Sequence, residues 1–420
     1  MIRTLVTSMC CVLALTGCQS FGRGVTRAII EETKDDPDSH EALCEVAGPG
    51  FDGLGVGLAA EQNEAPKTVR LIIVHGIGEH LPGYSERYQR NLALRLGLDA
   101  VDPQVKTVVL QGPAPVNAAL GTLRLTRFSN ATGSQNLMTF EVTWSTITEA
   151  ERNSLAFDDM GAAARTRAAL NGTLKQFMNK RAADPLAYRG DKGVAIRESV
   201  VQTICWATTG EWSDYPDLTE ARCEWPRGGS NIVSRDTFAL SSHSLGSRIA
   251  MDALEALGTA GDRSGASSNA TLAAFTDKPL SFFMLSNQLP LLQIGTAPPS
   301  VVRQVPQHCG PSATKAKDRW FKRVEVVAFS DPNDLLSYEI PPDFAAANLD
   351  SRLCADTTNI SIKVAKEISL AVTTFASPEA AHTQYEDDAR VLDLIVGGVG
   401  GEKAPPAGCS WLRFRSVVNK

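Results

Sequence analysis

Past Ser20, this chain of 420 residues has no apolar run near the ~18 residues that a bilayer-spanning helix needs. Histidine is scarce, six in all, and aromatic residues make up only 6%. Any chemistry that requires an imidazole therefore has very few positions to draw on. There is no Cys-x-x-Cys pair and no His-rich tract, so no ligand spacing points to a metal, and no cofactor is expected. Positive charge is not in excess either: 41 Lys and Arg face 47 Asp and Glu, for a net charge of −6. Without a basic stripe interleaved with aromatics, nucleic acid is excluded as an expected partner. No internal repeat is present, which excludes a solenoid.

What is present begins with Arg3 ahead of an apolar stretch from Leu5 to Leu15. This is too short to span a bilayer and has the shape of an export signal, so residues 1–17 are set apart from the fold. The stretch ends in Leu15-Thr16-Gly17-Cys18, which resembles the lipobox of bacterial lipoproteins; the bland alternative is an ordinary secretory signal with an incidental cysteine. The resemblance implies cleavage before Cys18 and acylation of that residue, and its several acyl chains exceed the two-chain threshold for stable anchoring. Gln19, where aspartate would suggest inner-membrane retention, makes the expected location the outer membrane, facing the periplasm. Export agrees with the cysteines. Nine, less Cys10, Cys11 and Cys18, leave six for disulfides in an oxidising compartment, with Cys205 and Cys223 the favoured local pair.

Residues 18–67 are polar, then glycine-rich, and read as a tether and irregular arm. At "TVRLIIVHGIGEH" a β-branched run stops at a glycine loop, and "SERYQRNLALRLGL" follows at helical spacing. Further runs, "VKTVVLQ", "LMTFEVTWS", "DTFALSS", "LSFFMLS" and "RVEVVAFS", alternate with helical stretches. The expected class is α/β, a mostly parallel sheet with helices on both faces, over residues 68–398. A helical insertion at about 147–234 is placed to cap a site or to pack on the sheet's flank. Residues 399–420 read as an irregular tail, with Cys409 as a staple.

The stretch "FALSSHSLGSRIA" carries the most direct chemical signal. A buried strand, a sharp turn centred on Ser244 and an amphipathic helix make the setting of a nucleophile elbow, in which residues two before and two after must be small. Here they are Ser242 and Gly246, the first a departure from glycine. The Leu245 amide at the helix N-terminus suits an oxyanion, and a second donor is expected from the "VHGIGEH" loop at Ile77, with Gly78 the alternative. That loop differs from phosphate-binding glycine motifs, so nucleotide is not indicated.

A serine hydroxyl needs a base. His40 lies in the tether, His75 and His80 flank the glycine loop, His243 is inside the elbow, and His308 adjoins Cys309. His382, in a loop leading into a late helix, remains. The acid is expected after the strand "RVEVVAFS", at Asp334, with Asp331 as the alternative, because Asp331 before Pro332 also suits a turn. Asn287 ends another strand and reads as a turn or a substrate contact. Trp144, Trp206, Trp212 and Trp225 read as core packing or as the walls of an acyl groove.

Together, "VHGIG", "SHSLG", "SDPND" and "AHTQY" occur in an order that resembles serine hydrolases of the α/β-hydrolase fold. The resemblance covers roughly Val69 to Gly398. It implies Ser244 as nucleophile, His382 as base and Asp334 as its orienter, but not the substrate, since the fold hosts many reactions; the expected substrate is an ester, by hydrolysis or acyl transfer, and a lipid ester given Cys18 at the membrane. The competing expectation is a membrane-tethered binding or structural protein that kept this fold without turnover.

Overall fold

A computed structural model of the chain describes residues 43–59, 66–113, 118–226, 230–264, 268–370, 373–400 and 404–412. Cys18 and His40, and with them the signal and most of the tether, lie outside the described residues.

The strands are β1 (Cys44–Ala47), β2 (Phe51–Asp52), β3 (Lys67–Val74), β4 (Gln104–Gln111), β5 (Ala119–Ser129), β6 (Gln135–Thr143), β7 (Thr219–Ala221) and β8 (Thr237–His243). They continue with β9 (Pro279–Leu285), β10 (Arg323–Ser330), β11 (Ala355–Ile362), β12 (Glu367–Leu370), β13 (Thr373–Ala376), β14 (Gly398–Val399) and β15 (Ser410–Leu412). Eleven of them form one sheet in the order β15-β1-β11-β10-β9-β8-β3-β6-β5-β4-β7. The centre, from β11 across to β6, is parallel throughout.

The continuous apolar run of β3 follows from burial on both faces. Ile72 and Val74 join a cluster with Leu240, Phe282 and the helices Gly193–Thr209 and Gly246–Ser264. Val69, Leu71 and Ile73 point the other way, into a cluster with Ala239, Phe283 and the helices Glu86–Arg95 and Ala389–Gly397. The class is therefore α/β, with a large, mostly parallel sheet covered by helices on both faces.

Four features differ from the sequence reading. Residues 43–59 are not an irregular arm: β1 pairs antiparallel with β11, and Cys44 is bonded to Cys409. The tail likewise contributes β15, parallel to β1. On the other side of the centre, β4, β5 and β6 form an antiparallel meander, of which β5 was not anticipated. Between β6 and β8 the chain is helical apart from β7, which extends the sheet edge beside β4. Cys205 is bonded to Cys223, as favoured, and Cys309 to Cys354.

Candidate active site

The elbow is built from small residues and close approaches. β8 ends at His243, the helix Gly246–Ser264 follows, and Ser244 sits between them with φ 55°. A non-glycine residue in that left-handed region costs about 1–3 kcal/mol and persists where its surroundings fix it. They do so here: the Ser244 N–H donates to Leu285 O at 3.0 Å, and Ser244 O accepts from the Ser247 N–H at 3.0 Å and Ser247 Oγ at 2.8 Å. A Cβ on Gly246 would lie 2.5 Å from Val74 O, and one on Gly76 would lie 2.7 Å from Ser244 Cβ. The glycine loop and the elbow are thus interlocked at van der Waals distance. Ser242 fits the elbow but is buried with no partner for its Oγ among the described residues.

Two more segments converge on Ser244. His382 lies in the helix Pro378–Thr383, which Ser377 caps through the Ala380 N–H at 3.3 Å and Pro378 opens. Its Nε2 is 3.1 Å from Ser244 Oγ, and its Nδ1 is 3.0 Å from each carboxylate oxygen of Asp334. Asp334 leaves the end of β10 and accepts the Leu336 N–H at 2.9 Å. Burial works to raise the Asp334 carboxyl, but hydrogen bonds from His382, Leu336 and Ser286 outweigh it and hold it below its usual value. An ionised carboxylate only accepts, so Nδ1 carries the proton and the Nε2 lone pair faces Ser244. The structure thus brings Ser244, His382 and Asp334 into one hydrogen-bonded chain.

Asp331 is elsewhere. Its Oδ2 accepts the Val364 and Ala365 N–H groups at 2.7 and 3.2 Å, and its Oδ1 accepts Asn333 N–H at 2.7 Å. It fastens the loop after β10 to the chain beyond β11. Asn287 is another fastener: its Nδ2 donates to Tyr338 O at 2.7 Å and its N–H to Phe329 O at 3.0 Å.

Sequence reasoning missed Ser286. At the end of β9, with φ 50°, it is fully buried; its Oγ donates to Asp334 Oδ2 at 2.7 Å and lies 2.8 Å from His382 Nδ1. The available signal was its place at a strand end pointing to the same side of the sheet as Ser244. The neighbouring Asn287 drew attention instead.

The expected oxyanion donors are the amides of Ile77 and Leu245. Neither N–H has an acceptor among the described residues, whereas the Gly78 N–H donates to Asp184 Oδ2 at 2.6 Å. Gly78 is therefore occupied. The glycine loop is further pinned by His75, whose Nε2 accepts the Trp144 N–H at 3.1 Å while its Nδ1 donates to Gly76 O at 2.8 Å. Trp144 stacks on His75 with centroids 4.5 Å apart and is fully buried, so it packs the core. Trp206, Trp212 and Trp225 are packed against the same core cluster. Burial holds His75 well below its usual pKa, and lowers His80 and His243 as well, the last to about 3. His243 donates from Nε2 to His382 O at 2.7 Å, turning away from Ser244.

The helical segment after β6 closes over the loop. Arg181 donates to Ile77 O at 3.1 Å, and Asp184 accepts from Thr148 Oγ1 at 2.7 Å and Arg152 at 3.1 Å as well as from Gly78. Ser244 has no exposed surface. No protein-family model, no curated protein and no solved structure matches this chain. The site is read on its own geometry.

Proposed function

We propose that the protein is a serine hydrolase of the α/β-hydrolase fold that cleaves carboxylic esters through an acyl-enzyme on Ser244. The observation that carries this is the chain Ser244 Oγ, His382, Asp334, with contacts of 3.1 and 3.0 Å. As Ser244 attacks an ester carbonyl, His382 Nε2 takes its proton, and the imidazolium is held by Asp334 through Nδ1–H. The developing oxyanion is met by the N–H groups of Leu245 and Ile77, each worth about 3 kcal/mol to such a transition state. His382 then returns its proton to the leaving alcohol, and water, or a second alcohol in an acyl transfer, releases the acyl group. The helical segment between β6 and β8, held to the glycine loop through Arg181 and Asp184, acts in this reading as a cap.

An anchor at Cys18 makes lipid-linked esters at the outer membrane the substrates to try first. The test is turnover of p-nitrophenyl esters from acetate to palmitate by wild type and Ser244→Ala. Turnover that depends on Ser244 and extends to long chains supports the reading. Turnover confined to acetate and butyrate contradicts the lipid-ester part, and no Ser244-dependent turnover by folded protein contradicts the hydrolase.

A further inference from the structure

We propose that the face of the molecule around the candidate site docks on a lipid surface with anionic headgroups, through the helices Ala156–Met160 and Ala169–Arg181. More than half of the exposed large apolar side chains leave the C-terminal ends of β3, β6, β9 and β10, the end of the sheet that carries Ser244 and His382. Among the described residues these include every exposed phenylalanine and methionine: Phe157 (66% exposed), Met160 (77%), Phe177 and Met178. Leu81 and Leu335, each over 70% exposed, flank the site from the other two loops.

These elements are tied into one surface. Asn179 donates to Asp158 at 2.9 Å, joining the two helices, Arg181 holds Ile77 O, and Arg189 donates to Ile294 O at 3.1 Å in the loop beyond β9. Isolated exposed apolar residues are ordinary, but their gathering on linked elements at the end of the sheet that carries Ser244 points to an interaction site.

Charge selects the partner. The whole chain is net −6, yet from Gly161 to Ala183 it carries Arg165, Arg167, Lys175, Lys180 and Arg181 and no carboxylate. Of the nearest acids, Asp184 is buried and bonded to Arg152, Thr148 and the Gly78 N–H, and Asp158 and Asp159 are taken up by Arg167 at 2.7 and 3.3 Å, while Lys175 reaches Asp158 only at 3.9 Å. Exposed Lys180 follows Phe177 and Met178 on the same helix, and Arg165 is exposed in the segment that leads into it. Phe, Met and Arg suit a protein or a lipid partner alike, but Lys175 and Lys180 on the same helix as Phe177 and Met178, a residue type depleted at protein interfaces, favour apolar insertion with cations at the level of anionic headgroups.

The inference rests neither on the chemistry of Ser244 nor on the anchor, and its test separates them. Full-length protein is mixed with preformed vesicles, with a polarity-sensitive fluorophore at Met160→Cys or, at the opposite end of the sheet, at Val101→Cys. With about a third anionic phospholipid, the Met160 label is expected to shift to the blue and be quenched by brominated lipid while the Val101 label is not. The double variant Lys175→Glu, Lys180→Glu is expected to weaken this at least fivefold per cation. A Met160 label that stays in water, or labels at both ends that are quenched alike, overturns the proposal. Fluorophosphonate labelling of Ser244 in the same samples reads the hydrolase independently.

Discussion

Gly76→Ala tests whether the glycine loop and the elbow are as closely fitted as described. The backbone at Gly76 does not require glycine, because its φ lies outside the left-handed region; the only obstacle is space. The new methyl would meet Ser244 Cβ at 2.7 Å, His243 O at 2.9 Å and Ser244 Oγ at 3.3 Å. Carbon atoms rest at about 3.5 Å, so loop and elbow must part by roughly 0.8 Å. Ser244 is pinned by its bonds to Leu285 and Ser247, so the displacement falls on the loop carrying Ile77 or on His243 and, through its 2.7 Å bond, on His382. A misplacement of about 1 Å costs on the order of a hundredfold in rate, and overpacking costs about 1–3 kcal/mol of stability. The assay is kcat/KM on a short p-nitrophenyl ester together with thermal unfolding, with Gly172→Ala as control, where the nearest atom is 3.9 Å away. Wild-type kcat/KM in Gly76→Ala would refute the reasoning.

Ser286→Gly and Ser286→Ala both remove the hydroxyl bonded to Asp334 and His382, but only alanine keeps a side chain at φ 50°. If Ser286 positions the pair, both variants lose about tenfold in kcat with KM unchanged and shift the acid limb of the pH profile; loss in alanine alone would show backbone strain instead. Ser242→Ala removes a buried hydroxyl with no partner among the described residues, and is expected to raise stability by about 1 kcal/mol in urea unfolding. His75, His80 and His243 are all held neutral by burial, so below about pH 6.5 the unfolded chain binds protons that the folded chain does not. Glu255 and Glu386, each pushed up to about 7 by burial, act in the opposite sense until the unfolded carboxyls also protonate near pH 4.5; below that the histidines act unopposed and Asp334, whose pKa is lowered, adds to the loss, so stability should fall from about pH 4.5 toward 3. Unfolding midpoints at pH 4.5 and 3 check this, and equal midpoints would contradict it.

The parts of the fold readable in sequence were those whose pattern is local. β3 declares itself by burial on both faces, the helix Glu86–Arg95 by its period, and the elbow by small residues around Ser244. Residues 43–59 misled because glycine reads as freedom. In the fold it marks contact: a Cβ on Gly53 would lie 2.4 Å from Val396 O, on a helix more than 300 residues away. The choice between Asp334 and Asp331 also depended on distance in sequence. The amides that occupy Asp331 belong to Val364 and Ala365, and nothing near Asp331 announces them. Ser286 escaped for the same reason, its partners lying 48 and 96 residues ahead. β5 was missed because Arg124 and Arg127 interrupt its apolar residues, although alternation of that kind is what a strand with one polar face shows.

The central claim is an activated serine held by His382 and Asp334, and intact-mass measurement after fluorophosphonate treatment tests it most directly. The account predicts one adduct on the wild type and on Asp331→Asn, none on Ser244→Ala, and labelling slowed by orders of magnitude in His382→Ala and Asp334→Asn. No adduct on folded wild-type protein, or an adduct that persists in Ser244→Ala, would contradict it.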